Sequence, residues 1–215
     1  MSVKRNKRKK AEKKIQNNLK NMTTNKLTQI EIQKGLEELF NPLKLTAPTS
    51  INHDIKTFCK KISDFQPFFI NIEPELWSRQ SCCNLNIDEY IKMNGGKIVC
   101  GYKIWYNKPK YMEAERHAIW LKNGVYKDIS FNADGEDKIL FIPDILEKQN
   151  TLEENKSKIR WGKDSRTRQL IKAQETMESI MPIPQMSNEE CWNTMLTYEQ
   201  WNAGERMSNI QIVNN

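Results

Sequence analysis

Residues 97–130 read KIVCGYKIWYNKPKYMEAERHAIWLKNGVYKDIS, and this stretch decides the fold. Its first ten residues, 97–106, alternate in polarity and are rich in Ile, Val, Tyr and Trp, which predicts a β-strand. Asn123-Gly124 is the strongest short signal for a hairpin turn. Residues 111–121 and 125–130 on its two sides are therefore predicted to be antiparallel strands.

A helix and a further strand flank this stretch. Residues 82–93 are predicted to be helical, and Asn94-Gly95-Gly96 provides the C-terminal stop. Residues 138–142 (KILFI) predict another strand before Pro143. The order of a helix followed by an antiparallel meander indicates an α+β fold, in which the helix packs on the sheet and further helices extend from both ends.

The chain outside this core is more polar. The prediction has four parts: a basic arm at 1–20, a helical N-terminal extension at 21–73, an α+β core at 74–146 and a charged helical C-terminal extension at 147–215. Three helices are predicted here. The first covers residues 24–41 and the second runs from residue 151 to about 180. The third begins at a capping box of Ser187 and Glu190 and ends at Trp201.

Charge and composition exclude several classes of protein. The sequence of 215 residues contains no run of about 20 apolar residues that could cross a membrane, and no apolar segment follows the basic N-terminus as in a secretory signal. The five cysteines are then expected to be reduced thiols in a cytoplasmic protein, with a nuclear location also open because of the basic arm. Residues 1–20 hold nine of the 34 Lys and Arg residues, so the rest of the chain is nearly neutral.

The hairpin turn places a histidine near a carboxylate. A two-residue turn at Asn123-Gly124 would put Ile119 opposite Asp128, which makes Asp128 the diagonal neighbour of His117. Side chains alternate along a strand, so both would lie on one face. A carboxylate there could orient the imidazole and stabilise its cation. Glu113 and Glu115 point to the same face and are alternative partners.

The helix before the strands offers a nucleophile. Ile87, Tyr90 and Ile91 form an apolar stripe that is expected to cover the His117 face, and Cys83 lies one turn earlier on this stripe. If Ser81 is the N-cap, Cys83 lies in the first turn, where the helix dipole favours a thiolate.

A second start for this helix is also open. Asn86 and Glu89 form an alternative capping box, which would leave Cys83 on the loop before the helix.

The segment resembles the papain-like and transglutaminase-like thiol enzymes, which have a Cys at a helix start followed by a His and an Asp on neighbouring strands. His117-Ala118-Ile119-Trp120 and Asp128-Ile129-Ser130 resemble the transglutaminase-core H-A-x-W and D-x-[ST] strands. About 75 residues also resemble a little-characterised family. Its pattern is Cys83-x-x-Asn86, Asn94-Gly95-Gly96, Gly101-Tyr102…Trp105, Glu113-Ala114-Glu115-x-His117-Ala118-x-Trp120, Asp128 and Ile139-Leu140-Phe141-Ile142-Pro143-Asp144.

The resemblance implies an acyl-transfer enzyme without a cofactor. Cys83 matches the nucleophile, His117 the base and Asp128 the residue that orients the base; protein or peptide amides are the implied substrates. Papain-like enzymes place a Gln several residues before the Cys, whereas Gln80 stands three before it. Gln80, Asn86 and Trp105 are candidates for binding the oxyanion or the substrate, although alternation makes Trp120 a packing residue.

Two other classes of function remain open at this point. Cys82, Cys83, Cys100 and His117 could bind a metal, but adjacent cysteines do not have the spacing of a zinc site. The basic residues between Lys4 and Lys14 could contact nucleic acid through weak, salt-sensitive electrostatics in a non-enzymatic binding protein.

Overall fold

The computed structural model describes residues 41–144, 157–180 and 186–207, together with residues 34, 35 and 38. The chain divides into two units, Met1–Asn41 and Pro42–Asn215, and the features below belong to the second. The basic arm lies outside the described residues, so its contact with nucleic acid stays a prediction. The helix expected over 24–41 also lies outside them, apart from the helical residues 34, 35 and 38.

The second unit has an α+β fold. A short 3₁₀-helix, Asn41–Leu43, comes first. The α-helices are α1 (His53–Lys60), α2 (Cys83–Asn94), α3 (Ser165–Ile180), α4 (Asn188–Thr194) and α5 (Tyr198–Asn202). The strands are β1 (Phe68–Asn71), β2 (Lys97–Asn107), β3 (Tyr111–Lys122), β4 (Val125–Lys127), β5 (Lys138–Pro143) and β6 (Lys158–Gly162). No described helix has the length and apolar character needed to cross a membrane.

All six strands form one antiparallel sheet in the order β1-β5-β2-β3-β4, and β6 pairs with the first half of β3. The predicted hairpin is confirmed: Lys122 pairs with Val125 and Leu121 with Tyr126. Both turn residues have positive φ, 51° at Asn123 and 80° at Gly124, as a type I′ turn requires. The local sequence therefore sets the register at the centre of the sheet.

The sheet includes two strands from outside the predicted core of residues 74–146. β1 lies in the segment expected to be a helical N-terminal extension, yet it pairs with β5. β6 lies in the segment expected to be helical at the C-terminus, yet it pairs with β3. Both strands are short, four and five residues, so neither shows the long alternation from which a strand is recognised in sequence.

The two faces of the sheet carry different cores. α1 and α2 pack on one face, which we call the helix-covered face; it carries Cys100, Ala118 and Trp120 against α2, and Tyr102, Ile104 and Leu140 against α1. The other face, which we call the site face, carries a smaller apolar cluster of Ile70, Val99, Ile119, Ile139 and Phe141. His117 belongs to the site face because it alternates with Ala118 and Arg116.

The prediction that α2 covers the His117 face is therefore wrong. Ile87 and Tyr90 do face the sheet, but they pack on Ala118 and Trp120. The rings of Tyr90 and Trp120 meet edge to face at 5.2 Å, and the Trp120 indole donates to the Gly95 carbonyl at 2.7 Å. An apolar stripe shows which side of a helix is buried. It does not show which face of the sheet the helix packs on when both faces carry apolar residues. Trp120 has the packing role that alternation predicted.

The C-terminal helices are shorter than predicted. α3 ends at Ile180, near the expected position. The Ser187–Glu190 capping box is confirmed at the start of α4. The single helix expected to reach Trp201 is instead broken after Thr194, because Thr197 and Gln200 form a second capping box that begins α5.

Candidate active site

The site lies at a gap in the outer edge of β3. β6 pairs with residues 111–115 of this strand and β4 with residues 120–122. Amide groups of even-numbered residues point to this edge, since the Arg116 N–H donates to the Ser157 carbonyl at 2.8 Å. Alternation then directs the Ala118 N–H into the gap, where it is hydrogen-bonded to Cys83. The sulfur of Cys83 thus lies at the open edge, within reach of the site face.

Helix α2 positions this sulfur with its first turn. The helix begins at Cys83, and its N-cap is Cys82, which makes no side-chain capping bond. The prediction of Ser81 as N-cap is therefore wrong by one residue; Ser81 instead has a positive φ of 59°. The alternative start at Asn86 is also wrong, because that side chain bonds elsewhere. Cys83 keeps its place at the positive end of the helix dipole.

Cys83 and His117 form an acid–base pair. Burial disfavours a charged sulfur, but the hydrogen bond from His117, the positive charge of that ring and the Ala118 N–H together lower the pKa of Cys83 below the value of an ordinary thiol. Burial also disfavours the imidazolium, but Asp128 and the Cys83 thiolate raise the pKa of His117 to about 10. The two groups titrate as a pair, and a thiolate–imidazolium pair is the form that these shifts favour near neutral pH.

Asp128 is the carboxylate that bonds to His117. Its Oδ2 lies 2.9 Å from His117 Nε2, which leaves Nδ1 as the ring nitrogen for Cys83. Its Oδ1 accepts the Ser130 N–H at 2.9 Å. The alternative partners are engaged elsewhere: Glu113 bonds to Tyr111 and Arg160, and Glu115 accepts the Trp105 indole N–H at 2.7 Å.

The structure corrects how Asp128 reaches this position. The sequence predicted a β4 that continues to residue 130, but the strand ends at Lys127. Asp128 leaves β3 and forms a parallel bridge with Ile72, while its carbonyl accepts the Glu73 N–H at 2.8 Å. Because the chain turns away from β3 after Lys127, the edge of β3 is left unpaired next to Ala118. The change of direction at Asp128 therefore both positions its carboxylate and leaves room for Cys83 at this edge.

A pocket of about 270 Å³ opens on the pair. Cys83 and His117 lie in its wall with the candidates Gln80 and Trp105. The other lining residues are Ser81, Lys103, Glu115, Arg116, Ser130, Phe131, Asn132, Ala133 and Asp134. His117 is 5% exposed and Asp128 1%, whereas Cys83 is partly exposed. Cys83 thus lines the pocket and is partly exposed, whereas its two partners are buried.

Sequence reasoning missed Lys103 and Asn132 in this wall. The Lys103 ammonium lies 3.0 Å from the Asn132 carboxamide oxygen and 4.6 Å from the centroid of the Trp105 ring. Lys103 is only 9% exposed although it lies in an apolar strand. Lys103 pairs with Glu115, two residues before His117 on β3, which puts it on the site face. A lysine within an otherwise apolar strand, on the same face as His117, is the sequence signal that could have identified it.

Asn86 is a positioning residue, whereas the sequence made it a candidate for substrate or oxyanion binding. It is 0% exposed and is not among the residues that line the pocket. Its carboxamide accepts the Arg79 N–H at 2.7 Å and donates to the Arg79 carbonyl at 2.8 Å and to Ser130 Oγ at 3.3 Å. One side chain therefore connects helix α2, the loop before it and the segment after Asp128.

We expect Asn86→Ala to lower the free energy of unfolding by about 2–3 kcal/mol, because the Arg79 N–H loses its acceptor and the Arg79 carbonyl and Ser130 Oγ each lose a donor. Alkylation of Cys83 should also slow in the folded variant, since the helix start loses its tie to the loop. Urea unfolding and iodoacetamide kinetics measure the two effects. Asn94→Ala is the matched control, because Asn94 is exposed at the other end of the same helix, where its amide donates to the Tyr90 carbonyl. Equal effects of the two substitutions would refute the positioning role.

The cysteines considered as metal ligands are distributed differently. Cys100 packs beneath α2, and Cys82 contacts Cys191. Among the residues that the structure describes, no group of three or more His, Cys, Asp or Glu side chains is arranged to hold a metal ion.

The site thus combines a partly exposed Cys83 and a buried His117 in the wall of one pocket with a buried carboxylate 2.9 Å from the imidazole. Comparison with protein-family models, curated proteins and solved structures finds no match to this chain.

Proposed function

We propose that this protein is a thiol-dependent acyl-transfer enzyme of the papain-like or transglutaminase-like kind. The observation that carries the proposal is the sequence of contacts from Cys83 to His117 to Asp128 at the wall of a pocket. A low-pKa thiol beside a histidine that is oriented by a third group is the arrangement for nucleophilic catalysis.

The first half of the reaction forms a thioester. The Cys83 thiolate attacks the carbonyl carbon of an amide, and a carbon–sulfur bond forms as the carbonyl oxygen becomes an oxyanion. The Cys83 N–H lies in the first turn of a helix and has no acceptor within that helix, so it is a donor for the oxyanion, with Gln80 as a second. His117 then gives its proton to the leaving amine as the carbon–nitrogen bond breaks.

The second half releases the acyl group. His117, now neutral, takes a proton from water or from an amine, and that nucleophile attacks the thioester carbon. The carbon–sulfur bond breaks and Cys83 returns to its thiolate form. Water yields a carboxylic acid, which makes the reaction a hydrolysis or a deamidation, whereas an amine yields a new amide. Protein or peptide amides are the proposed substrates.

An active ester tests the proposal without knowledge of the natural substrate. We expect p-nitrophenyl acetate to acetylate Cys83 and the thioester to turn over, as measured by p-nitrophenol release and by mass mapping of the quenched protein. Cys83→Ala should remove both signals, and Cys191→Ser should keep them, since Cys191 lies outside the pocket lining. Acetylation spread evenly over the cysteines would contradict the proposal.

A further inference from the structure

A second pair of cysteines lies beside the nucleophile. The sulfur atoms of Cys82 and Cys191 are 2.6 Å apart, although 109 positions separate them in the chain. Both are free thiols; Cys82 is 1% exposed and Cys191 is partly exposed. Cys82 is the N-cap of α2 and Cys191 belongs to α4. The pair therefore joins the start of the nucleophile helix to the C-terminal segment.

Hydrogen bonds also hold the C-terminal segment to the site. The Gln80 N–H donates to the Leu196 carbonyl at 2.9 Å, and the Tyr198 N–H donates to the Ser78 carbonyl at 2.8 Å. Arg79 bridges to Thr197 between these two bonds, and its guanidinium donates to the Met195 carbonyl at 3.3 Å. The loop that carries Gln80 into the pocket thus rests on residues 195–198.

We propose that Cys82 and Cys191 form a regulatory disulfide that covalently fixes the C-terminal segment to the start of α2. This proposal does not depend on the proposed catalytic function. A pair of neighbouring free thiols is expected to respond to the redox state of its surroundings, and a bond between chain positions so far apart restricts the unfolded state strongly.

The oxidant is a low-molecular-weight disulfide such as glutathione disulfide. The partly exposed Cys191 attacks one of its sulfur atoms as a thiolate and releases one glutathione thiolate. Cys82 then loses its proton to that thiolate and attacks the Cys191 sulfur, which expels the second glutathione thiolate. Two protein thiols are oxidised, and one glutathione disulfide is reduced to two thiols. Burial and the neighbouring Cys191 raise the pKa of the Cys82 thiol, and the positive charge of Arg79 partly opposes them.

Cys83 does not take part in this bond. Its sulfur is directed to the edge of β3, where Ala118 and His117 bond to it, whereas the Cys82 sulfur contacts α4. Successive residues on a helix differ by about 100° in direction, so two adjacent cysteines at its start serve different partners. The oxidised protein therefore retains a free thiol at Cys83.

Equilibration of the full chain with mixtures of glutathione and glutathione disulfide tests the proposal. After acid quench and alkylation, non-reducing peptide mass mapping should find one intramolecular disulfide, Cys82–Cys191, with Cys83 alkylated. The melting temperature should rise on oxidation by about 10 °C, from the entropy of closing so long a loop. Cys191→Ser should abolish this rise. The matched control Cys59→Ala should retain it, since Cys59 is a residue of α1 and belongs to the core cluster beneath that helix.

Three results would overturn the proposal: a disulfide that includes Cys83, a bond between two protein molecules, or thiols that all stay reduced at the highest glutathione disulfide ratio. Mass mapping of the unsubstituted protein gives this answer even if a variant fails to fold.

Discussion

Replacement of His117 by alanine will slow the alkylation of Cys83 by iodoacetamide at pH 6 by about tenfold to a hundredfold. An ordinary thiol with a pKa near 8.5 is only about 0.3% thiolate at this pH, and the thiolate is the species that reacts. In the intact protein the hydrogen bond and charge of His117 lower the pKa of Cys83 against the effect of burial. Without the ring, only the Ala118 N–H opposes burial and the negative charge of Asp128, so the thiol becomes protonated.

The chain supplies its own control for this experiment. It contains two histidines, and the one other than His117 is His53, an exposed residue at the start of α1. His53→Ala should leave the rate at Cys83 unchanged, and peptide mapping should show that Cys191 reacts at the same rate in all three proteins. An unchanged rate at Cys83 in His117→Ala would remove the basis of the proposed nucleophile.

Replacement of Asp128 by asparagine will reduce the turnover of an active ester by about 10²–10⁴-fold, the range that the loss of an orienting carboxylate produces in catalytic triads. The amide can still accept the Ser130 N–H, so the segment keeps one of its two bonds. It cannot supply the negative charge that is the largest cause raising the pKa of His117.

The pH profile separates this effect from a loss of folding. In the intact protein, activity should rise as the low-pKa thiol ionises and fall as His117 loses its proton near pH 10. A raised histidine pKa means that the charged pair persists below that value and is lost as the pH increases through it. Asp128→Asn should move the alkaline limb to lower pH. Asp137→Asn is the matched control, because Asp137 is exposed and lies outside the pocket lining. If the alkaline limb does not move in Asp128→Asn, the Asp128 carboxylate does not stabilise the charged form of His117.

Much of the site followed from local patterns. The Asn123-Gly124 turn fixed the register of β3 and β4 as far as Lys127, the residue before Asp128, and the glycines after Asn94 fixed the end of α2, whose first turn carries Cys83. These signals act over a few residues, through turn geometry and side-chain alternation. They are readable in sequence because the backbone conformation that each requires is intrinsic to those residues.

Other parts of the site depend on residues distant in the chain. Asn86 was assigned to substrate contact because nothing in its neighbourhood shows that its carboxamide would bond to Arg79 and Ser130. Lys103 and Asn132 meet in the pocket wall although they lie 29 positions apart. Partners of this kind are selected by the folded arrangement of loops, which alternation along one strand does not specify.

Local patterns predicted a helix with Cys83 in its first turn or on the loop before it, a strand that carries His117, and a hairpin turn that leads toward Asp128. The packing of α2 on the face opposite His117 is visible only in the folded protein. The same is true of the gap that β4 and β6 leave along β3, which brings Cys83 close to the imidazole. The physical reason is that periodicity specifies which residues of an element are buried together, whereas the face and the edge that an element meets depend on the packing of all the others.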